Sequence, residues 1–338
     1  MNHSNLTNSD FLQLRIYERN ERRGAQRAAG RAGWMVLGSI GLMMAVQFLL
    51  VAALYAAGAA EGAHSTLLEY LSSCIGYLFL ALIPMIYVMT GEESVERLLP
   101  FSRPQKVGLT RADVLLLCVV GMMLTLASNW PTQAVQAFLQ AVGLSGNIPD
   151  MPLDKSFSTQ AFYMIYSTVI PPLVEEILFR GAVLGSLRRW GDWFAILVSS
   201  ILFGLYHGNA GQFVFATLVG LVFGYLRVRT DNMLPGMLLH MLNNGLATLA
   251  SVLGQSFGSQ VSNVFSITYF AVVFAAGLAL VLVRLVRQGP ESFAKLWVPV
   301  QRMVSTLGGR MRGLVTSAGG VLMLVYGIGF SIFYMVRS

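Results

Sequence analysis

The chain has 338 residues, of which 55% are hydrophobic and only 12% are charged, with a formal net charge of +7. Segments with few charged residues form long blocks, which excludes an ordinary soluble domain and indicates a polytopic membrane protein. A positive charge balance is also typical of nucleic-acid-binding proteins, but here the positions of the basic residues fit a membrane topology. The pattern predicts an all-α transmembrane helix bundle of about 8–9 spans, with no nucleic-acid partner.

Segment 1–33 is polar and basic, and apolar residues such as Leu12 and Ile16 interrupt its charges. Its arginines are Arg15, Arg19, Arg22, Arg23, Arg27 and Arg31. This composition predicts a cytoplasmic arm that lies on anionic lipid as a basic amphipathic helix. The apolar run that begins at Trp34 is too long for the hydrophobic region of a signal peptide, so we expect an uncleaved first span.

Apolar runs follow along the chain, and a helix needs ~20 such residues to cross a bilayer. They cover about 34–58, 67–90, 112–130, 158–187, 192–209, 212–227, 232–253, 265–287 and 314–336. The run 212–227 is the shortest and makes the weakest candidate span.

A cytoplasmic amino terminus places further segments on the cytoplasmic side, namely 91–111, 188–191, 228–231 and 288–313. Almost all lysines and arginines beyond the arm lie in these segments or at adjoining helix ends, whereas the opposite side carries only Lys155 and Arg337. This asymmetry follows the positive-inside rule. We therefore predict a multi-pass protein of the cell membrane with a cytoplasmic amino terminus.

The predicted organisation has four parts. They are a basic arm 1–33, amino-terminal spans with an interfacial helix 34–157, a catalytic core 158–253, and carboxy-terminal spans with a cytoplasmic amphipathic segment 254–338. Apolar residues at helical spacing predict interfacial helices at Thr132–Val142 and Phe293–Leu307. The outer loop Gly143–Phe157 either shapes a substrate entrance or only connects two spans. Cys74 and Cys118 fall at different membrane depths, so we expect packing residues and no disulfide bond.

The sequence Pro171-Pro-Leu-Val-Glu-Glu-Ile-Leu-Phe-Arg180 places two carboxylates and a guanidinium inside the predicted span 158–187. A charge inside a membrane costs a few kcal/mol, so such residues are by default functional. On a helix, Glu176 and Arg180 are one turn apart and neutralise each other, while Glu175 is rotated by about 100° and stays free for chemistry. The alternative is a buried ion cluster that only fixes helix packing.

Two of the four histidines, His207 and His240, also lie inside predicted spans. Phe203 precedes His207 by one turn, and Asn244 follows His240 by one turn, so each pair shares a helix face. A single intramembrane histidine is usually a packing residue, but two of them with an asparagine and a free glutamate on three neighbouring spans indicate a site. The candidate catalytic residues are Glu175, His207, His240 and Asn244, supported by Glu176, Arg180 and Phe203.

This set contains the groups needed for the attack of water on an amide. Glu175 can accept a proton from water, and one histidine can orient that water or protonate the leaving amine. The other histidine and Asn244 can donate hydrogen bonds to the developing oxyanion. The alternative is a zinc site with Glu175, His207 and His240 as ligands. The sequence lacks a close His-x-x-x-His pair and asparagine is a poor zinc ligand, so we favour a site without a metal or other cofactor.

Three blocks resemble, in order and spacing, the signature motifs of the CPBP family, the CAAX-protease and bacteriocin-processing membrane proteins also called Abi proteins. The blocks are Glu175-Glu-Ile-Leu-Phe-Arg180, Phe203-Gly-Leu-Tyr-His207 and His240-Met-Leu-Asn-Asn244. The resemblance implies a membrane-embedded endopeptidase in which the residues matching Glu175 and His207 activate water, while those matching His240 and Asn244 hold the oxyanion. Family members were long described as metalloproteases, but the resemblance favours a glutamate mechanism without metal.

The predicted function is hydrolysis of a peptide bond in a membrane-associated substrate by glutamate-activated water. The substrate is of the prenylated CAAX type or resembles a bacteriocin or signal peptide, and the partners are this peptide and the lipid bilayer. Two alternatives are a transporter or proton relay that titrates the same residues, and an immunity protein that binds a membrane peptide without cutting it. The sequence shows no pair of Pro/Gly-interrupted spans in corresponding halves, the usual sign of a transporter. It contains no feature that predicts an oligomeric state.

Overall fold

The protein is described by a computed structural model that covers residues 8–58, 65–91, 93–103, 107–144 and 156–337. Most of the predicted outer loop, at positions 145–155, lies outside the described residues. Within the described part of the chain, helices account for most residues and no β-strand is present. The predicted all-α fold is confirmed.

The first half contains α1 (Asn8–Ala56), α2 (Ser65–Leu80), α3 (Leu82–Thr90), α4 (Val95–Leu98), α5 (Arg111–Ala127) and α6 (Asn129–Ala141). The second half contains α7 (Phe157–Glu176), a π-helix (Ile177–Val183), α8 (Leu184–Leu187), α9 (Asp192–Tyr206), α10 (Ala210–Thr230), α11 (Leu234–Phe257), α12 (Ser259–Gln288), α13 (Leu307–Thr316) and α14 (Ala318–Arg337). Short 3₁₀ turns occupy Arg188–Trp190 and Pro290–Leu296.

Eight helical segments in the described residues are long and apolar enough to cross a membrane, which confirms a polytopic bundle. Some of them combine consecutive helices, such as α2 with α3 and α5 with α6. The predicted span 192–209 is not among them, because α9 has only 15 residues and a full crossing needs ~20. The run 212–227 was expected to be the weakest span, but it lies within α10, which has 21 residues. The reason is Asn209, whose side-chain oxygen accepts the Gln212 N–H at 2.8 Å and starts α10 before the apolar run.

The basic arm does not form a separate surface helix. Its described part continues directly into the first span as α1, a single helix of 49 residues. The arm packs against α13 and the segment before it, where Gln26 Nε2 donates to the Thr316 carbonyl at 3.2 Å and Arg310 Nη1 donates to Glu21 at 3.1 Å. Contacts with protein therefore replace part of the predicted contact with lipid.

One of the two predicted interfacial helices is wrong. The segment Thr132–Val142 largely coincides with α6, but in Phe293–Leu307 only the first residues form a 3₁₀ turn, and the chain is not helical again until α13. Pro299 lacks the N–H that a helix would need. Neighbouring helices also bind the carbonyls of this segment, as where the Tyr225 hydroxyl donates to the Leu296 carbonyl at 2.7 Å.

Helix α9 is almost entirely buried, and its contact with α10 relies on glycine. A Cβ atom added at Gly204 would overlap the Thr217 side chain, and one at Gly220 would press on the backbone of Ser200. Small residues at such positions let two helices approach closely. This arrangement positions the carboxy-terminal end of α9, where one of the predicted site residues lies.

Ion pairs connect the helix ends at one end of the bundle. Arg188 Nη1 is 2.9 Å from Asp231 Oδ1, and Lys295 Nζ is 2.8 Å from Asp113 Oδ2. These contacts join pairs of segments that the positive-inside rule assigns to one side of the membrane. Which side this is stays a prediction.

Candidate active site

The two glutamates are the last residues of α7, and Arg180 lies in the π-helix that follows. Short π-helical segments occur frequently at functional sites. All three side chains are almost completely buried, and Arg180 Nη1 is 3.0 Å from Glu176 Oε1. The contact is an ion pair by distance, although its angles do not meet those of a hydrogen bond. Glu176 and Arg180 therefore pair as expected.

Two aromatic rings hold the guanidinium of Arg180. Its Cζ atom is 4.4 Å from the ring centroid of Phe203 and 5.4 Å from that of Phe223. Cation–π contacts are worth more when the cation is desolvated, as it is here. The Nε and Nη2 atoms of Arg180 have no hydrogen-bond partner among the described residues, so the rings and Glu176 supply its stabilisation. Phe203 thus contacts Arg180 as well as His207, whose ring centroid is 4.9 Å away.

His240 lies between the two glutamates. Its Nδ1 is 3.1 Å from Glu176 Oε1, and its Nε2 is 3.6 Å from Glu175 Oε2. An ionised carboxylate only accepts hydrogen bonds, so we assign the Nδ1 proton of His240 to the bond with Glu176. The distance of 3.6 Å is longer than a hydrogen bond. Glu175 is therefore less isolated than the helical spacing predicted, because it shares His240 with Glu176.

His207 occupies the turn between α9 and α10. Its Nδ1 is 2.8 Å from the Phe203 carbonyl oxygen, which can only accept, so Nδ1 carries a proton and Nε2 is an acceptor in the neutral ring. Gly208 has a φ of +64°, in the left-handed region that favours glycine. Asn209 Nδ2 then donates to the His207 carbonyl at 3.3 Å. The Gly-Asn pair after the histidine thus fixes the turn that carries it.

Asn244 is oriented by a proline in the neighbouring helix. Pro171 lies inside α7 and has no N–H, so the carbonyl of Ser167 lacks its usual helical donor. The Nδ2 atom of Asn244 is 3.4 Å from this carbonyl and donates to it, while Asn243 Nδ2 donates to Asn244 Oδ1 at 3.3 Å. The amide of Asn244 is therefore held from both ends, and its second N–H remains available.

A cavity of about 370 Å³ brings the predicted catalytic residues together. Glu175, His207, His240 and Asn244 all line it, although they come from α7, the α9–α10 turn and α11. Its volume is in the range of small-ligand sites. Three motifs that are far apart in the sequence thus form one concave site.

Sequence reasoning missed several residues of this cavity. Tyr77, Tyr166, Gln212, Asn243 and Thr248 also line it. Asn243 and Gln212 carried a signal, because an amide inside an apolar span is as unusual as a histidine there. The tyrosines carried little signal, since aromatic residues are common in spans and nothing in α2 indicates that it contacts α7.

The zinc alternative depends on how the possible donor atoms are arranged. Among the described side chains, no three His, Cys, Asp or Glu residues are arranged to hold a metal ion. Nδ1 of His207 and Nδ1 of His240 are both engaged by protein acceptors, so only the Nε2 atoms of the two rings could bind a metal. A zinc site with Glu175, His207 and His240 would need three ligand atoms at ~2 Å from one point. Metal dependence stays a question for the chelation experiment below.

The three motif blocks fall within one segment that matches a known family. The model of the family described as type II CAAX prenyl endopeptidase Rce1-like matches residues 157–246. This segment is Rce1-like. The resemblance to CPBP-type CAAX prenyl proteases, which rested on three short motifs, is thereby confirmed for the part of the chain that contains them.

Two curated relatives are similar to part of the chain. The chain is 25% identical over 131 residues to the "Putative membrane peptidase YdiL" of Bacillus subtilis (strain 168), an alignment that covers 38% of this chain and 53% of that protein. It is 29% identical over 155 residues to an "Uncharacterized 24.3 kDa protein" of Escherichia coli, covering 41% of this chain and 68% of the relative. The chain thus spans about half the length of the first relative. No solved structure matches the chain.

Proposed function

We propose that the protein is an intramembrane endopeptidase that hydrolyses a peptide bond of a membrane-associated substrate with water activated by Glu175. The observation that carries this proposal is the cavity in which Glu175, His207, His240 and Asn244 meet. The Rce1-like match of residues 157–246 supports a membrane peptidase on independent grounds.

The proposed reaction starts with a water molecule between Glu175 and His207. Glu175 accepts a proton from this water while His207 Nε2, left as an acceptor by the bond at Nδ1, orients it. The oxygen attacks the scissile carbonyl carbon and forms a tetrahedral oxyanion. The proton then passes to the leaving amine as the C–N bond breaks, which returns Glu175 to its ionised form.

Asn244 and His240 stabilise the oxyanion in this proposal. Asn244 supplies the N–H that is not bound to Ser167. His240 can donate from Nε2 only if both ring nitrogens carry protons, because Nδ1–H is bound to Glu176.

A doubly protonated His240 would keep the buried cluster neutral during the reaction. With Glu175 and Glu176 ionised, the positive charges of Arg180 and His240 make the buried cluster neutral. When Glu175 takes up the proton, its negative charge is replaced by that of the oxyanion, so the total does not change. Buried charges are tolerated when they are paired in this way.

The substrate class is the finer part of the proposal. Tyr77, Tyr163 and Tyr166 form an aromatic wall of the cavity, which suits an extended peptide with apolar side chains or an attached apolar group. We propose a membrane-associated peptide, either prenylated at a CAAX terminus or similar to a bacteriocin or signal peptide. The experiment below distinguishes the two, because it compares peptides with and without a prenyl group.

The test is cleavage of fluorogenic membrane-proximal peptides, with and without a prenyl group, by the purified full-length protein. Glu175→Gln removes the base but keeps the shape of the side chain, and we expect at least a hundredfold loss of rate, roughly the contribution of a general base. Glu96→Gln is the matched control, because Glu96 is exposed and lies outside the cavity. Each protein is also measured after treatment with a chelator.

The proposal is supported if the wild type and Glu96→Gln cleave the peptides, Glu175→Gln cleaves them weakly or not at all, and chelation has no effect. Full activity of Glu175→Gln would remove Glu175 from the mechanism. If chelation abolishes cleavage and added zinc restores it, the proposed glutamate mechanism would be replaced by a metal mechanism. Ion flux through proteoliposomes without any cleavage would favour the transporter alternative.

A further inference from the structure

A second cavity, of about 850 Å³, lies at the end of the bundle that carries the ion pairs. Three parts of the chain form it, namely residues 20–34 of α1, the turn at Arg189 and Trp190, and residues 316–319 at the start of α14. None of the residues of the candidate active site lines this cavity. We call it the arginine groove, after Arg23, Arg27, Arg31 and Arg189 in its lining.

The arginines of the groove form an unneutralised cluster. Arg23, Arg27 and Arg31 follow one another at intervals of four residues, so they share a face of α1 with about 6 Å between neighbours. Arg189 adds a fourth guanidinium from another element, stacked at 5.2 Å from the ring of Trp190. Among the described residues, no carboxylate lines the groove and none of these arginines forms an ion pair. Glu93 lies with Arg31 and Arg189 in the lining of an adjoining cavity, but it is paired with Arg97. An anion from outside the chain would therefore find several guanidinium groups without a carboxylate partner.

The start of α14 adds a separate signal for an anion. Ser317 lines the groove and is only 8% exposed, yet its Oγ has no hydrogen-bond partner among the described residues. It directly precedes α14, whose first N–H groups carry the partial positive charge of a helix amino terminus. A buried hydroxyl without a partner is costly, and a ligand in the groove would be able to accept a hydrogen bond from it.

We propose that the arginine groove binds the phosphate headgroup of an anionic phospholipid. Guanidinium groups bind phosphate oxygens through charged, paired hydrogen bonds. The groove lies where α1 changes from the arginine-rich arm to the apolar run that starts at the exposed Trp34. Basic residues beside a span and tryptophan at its border are typical of the headgroup level of a membrane.

A phospholipid fits this position better than a free phosphate ion. The phosphate of a lipid can contact the guanidiniums while its acyl chains follow the apolar faces of α1 and α14 into the bilayer. A free phosphate ion has no acyl chains and cannot make the contact with α1 and α14. The bound lipid would connect α1, the Arg189 turn and α14, which are otherwise joined here mainly by side-chain packing.

The test measures the thermal unfolding of the purified full-length protein in detergent as a function of added short-chain phosphatidylglycerol. A ligand that binds only the folded state stabilises it by RT ln(1 + [L]/Kd), so Tm rises with the concentration of the ligand. Phosphatidylcholine of the same chain length and inorganic phosphate are the comparison ligands. Arg27→Gln/Arg31→Gln removes two charges from the groove, and Arg111→Gln/Arg287→Gln removes two exposed charges from helices that do not line it.

We expect phosphatidylglycerol to raise Tm, with an apparent affinity that falls roughly tenfold or more in Arg27→Gln/Arg31→Gln and stays unchanged in Arg111→Gln/Arg287→Gln. If the double variant does not fold, the single variant Arg189→Gln gives the same test, because Arg189 is exposed. Equal effects of phosphatidylcholine, or equal losses in the control variant, would overturn the proposal. An equal effect of inorganic phosphate would replace the lipid by a free anion.

Discussion

Arg180 is the residue on which the buried charges of the active site depend. It pairs with Glu176 at 3.0 Å and lies over the rings of Phe203 and Phe223. Glu176 in turn holds His240 through Nδ1. The arginine therefore acts on the reaction through the residues that it positions, without lining the cavity itself.

We expect Arg180→Ala to lower both stability and turnover. The change leaves Glu176 with only His240 as a charged partner and empties the space between two aromatic rings, and breaking a buried ion pair costs about 3–5 kcal/mol. Thermal unfolding in detergent and peptide cleavage measure the two effects. Arg287→Ala, at an exposed position, serves as the control. An unchanged Tm for Arg180→Ala would contradict the structural role.

Asn244 provides a test of the proposed oxyanion contact. Asn244→Ala removes the free N–H, and we expect kcat to fall by roughly a hundredfold or more with little change in KM, because the bond strengthens only in the transition state. Asn243→Ala is the comparison. Asn243 also lines the cavity, but its amide is bound to Asn244 Oδ1, so its loss should have a smaller effect. Equal losses in the two variants, or a change in KM alone, would speak against this role.

At the scale of single elements, the interior of α7 contributes to the site through a missing hydrogen bond. The helix continues past Pro171 and Pro172, and the carbonyl freed by Pro171 is the one that binds Asn244. A proline inside a helix usually costs stability. Here the carbonyl that the proline leaves unbonded orients the amide of Asn244 in the neighbouring helix α11.

We expect Pro171→Ala to leave stability unchanged or higher while reducing kcat by several-fold. The new N–H can bond to the Ser167 carbonyl and displace the Asn244 side chain. Pro172→Ala is a matched control in the same helix, because Pro172 does not line the cavity. Unfolding curves and cleavage rates of the two variants measure the difference. A Pro171→Ala protein as active as wild type would show that Asn244 does not need this bond.

The limits of sequence prediction are visible in particular elements. The apolar runs predicted most spans, because every residue facing lipid must be apolar. They failed at α9, which is buried among other helices and is too short to cross a membrane. They also failed at Phe293–Leu307, where hydrogen bonds to Tyr225 and other side chains of distant elements replace those of a helix.

At the scale of the whole molecule, the ends of the bundle differ in charge. The arginine groove and the pairs Arg188–Asp231 and Lys295–Asp113 lie at one end. The positive-inside rule assigns this end, with the amino terminus, to the cytoplasm. This orientation is a prediction from charge alone, and it has a direct test.

We expect an impermeant thiol reagent to label Ser259→Cys but not Gln13→Cys in intact spheroplasts, in a Cys74→Ser/Cys118→Ser background. Both positions are exposed and lie near the amino-terminal ends of α1 and α12, which the positive-inside rule places on opposite sides of the membrane. Inside-out vesicles should reverse the result, which controls for reactivity. Labelling of Gln13→Cys in spheroplasts would reverse the predicted topology.

The sequence by itself determined the class of the protein and the identity of its candidate site residues. Charged and amide residues are rare inside apolar spans, so Glu175, His207, His240 and Asn244 stood out without any structural information. The order and spacing of the motifs around them then led to the resemblance that the family model confirms for residues 157–246.

Only the tertiary structure decided how these residues are paired. That His240 joins the two glutamates, that Pro171 orients Asn244 and that Arg189 completes a groove with α1 depends on the rotation and depth of helices packed side by side. The periodicity of one helix defines which of its residues share a face, but it does not specify where the neighbouring helix lies. These pairings follow from packing between segments that are far apart in the chain.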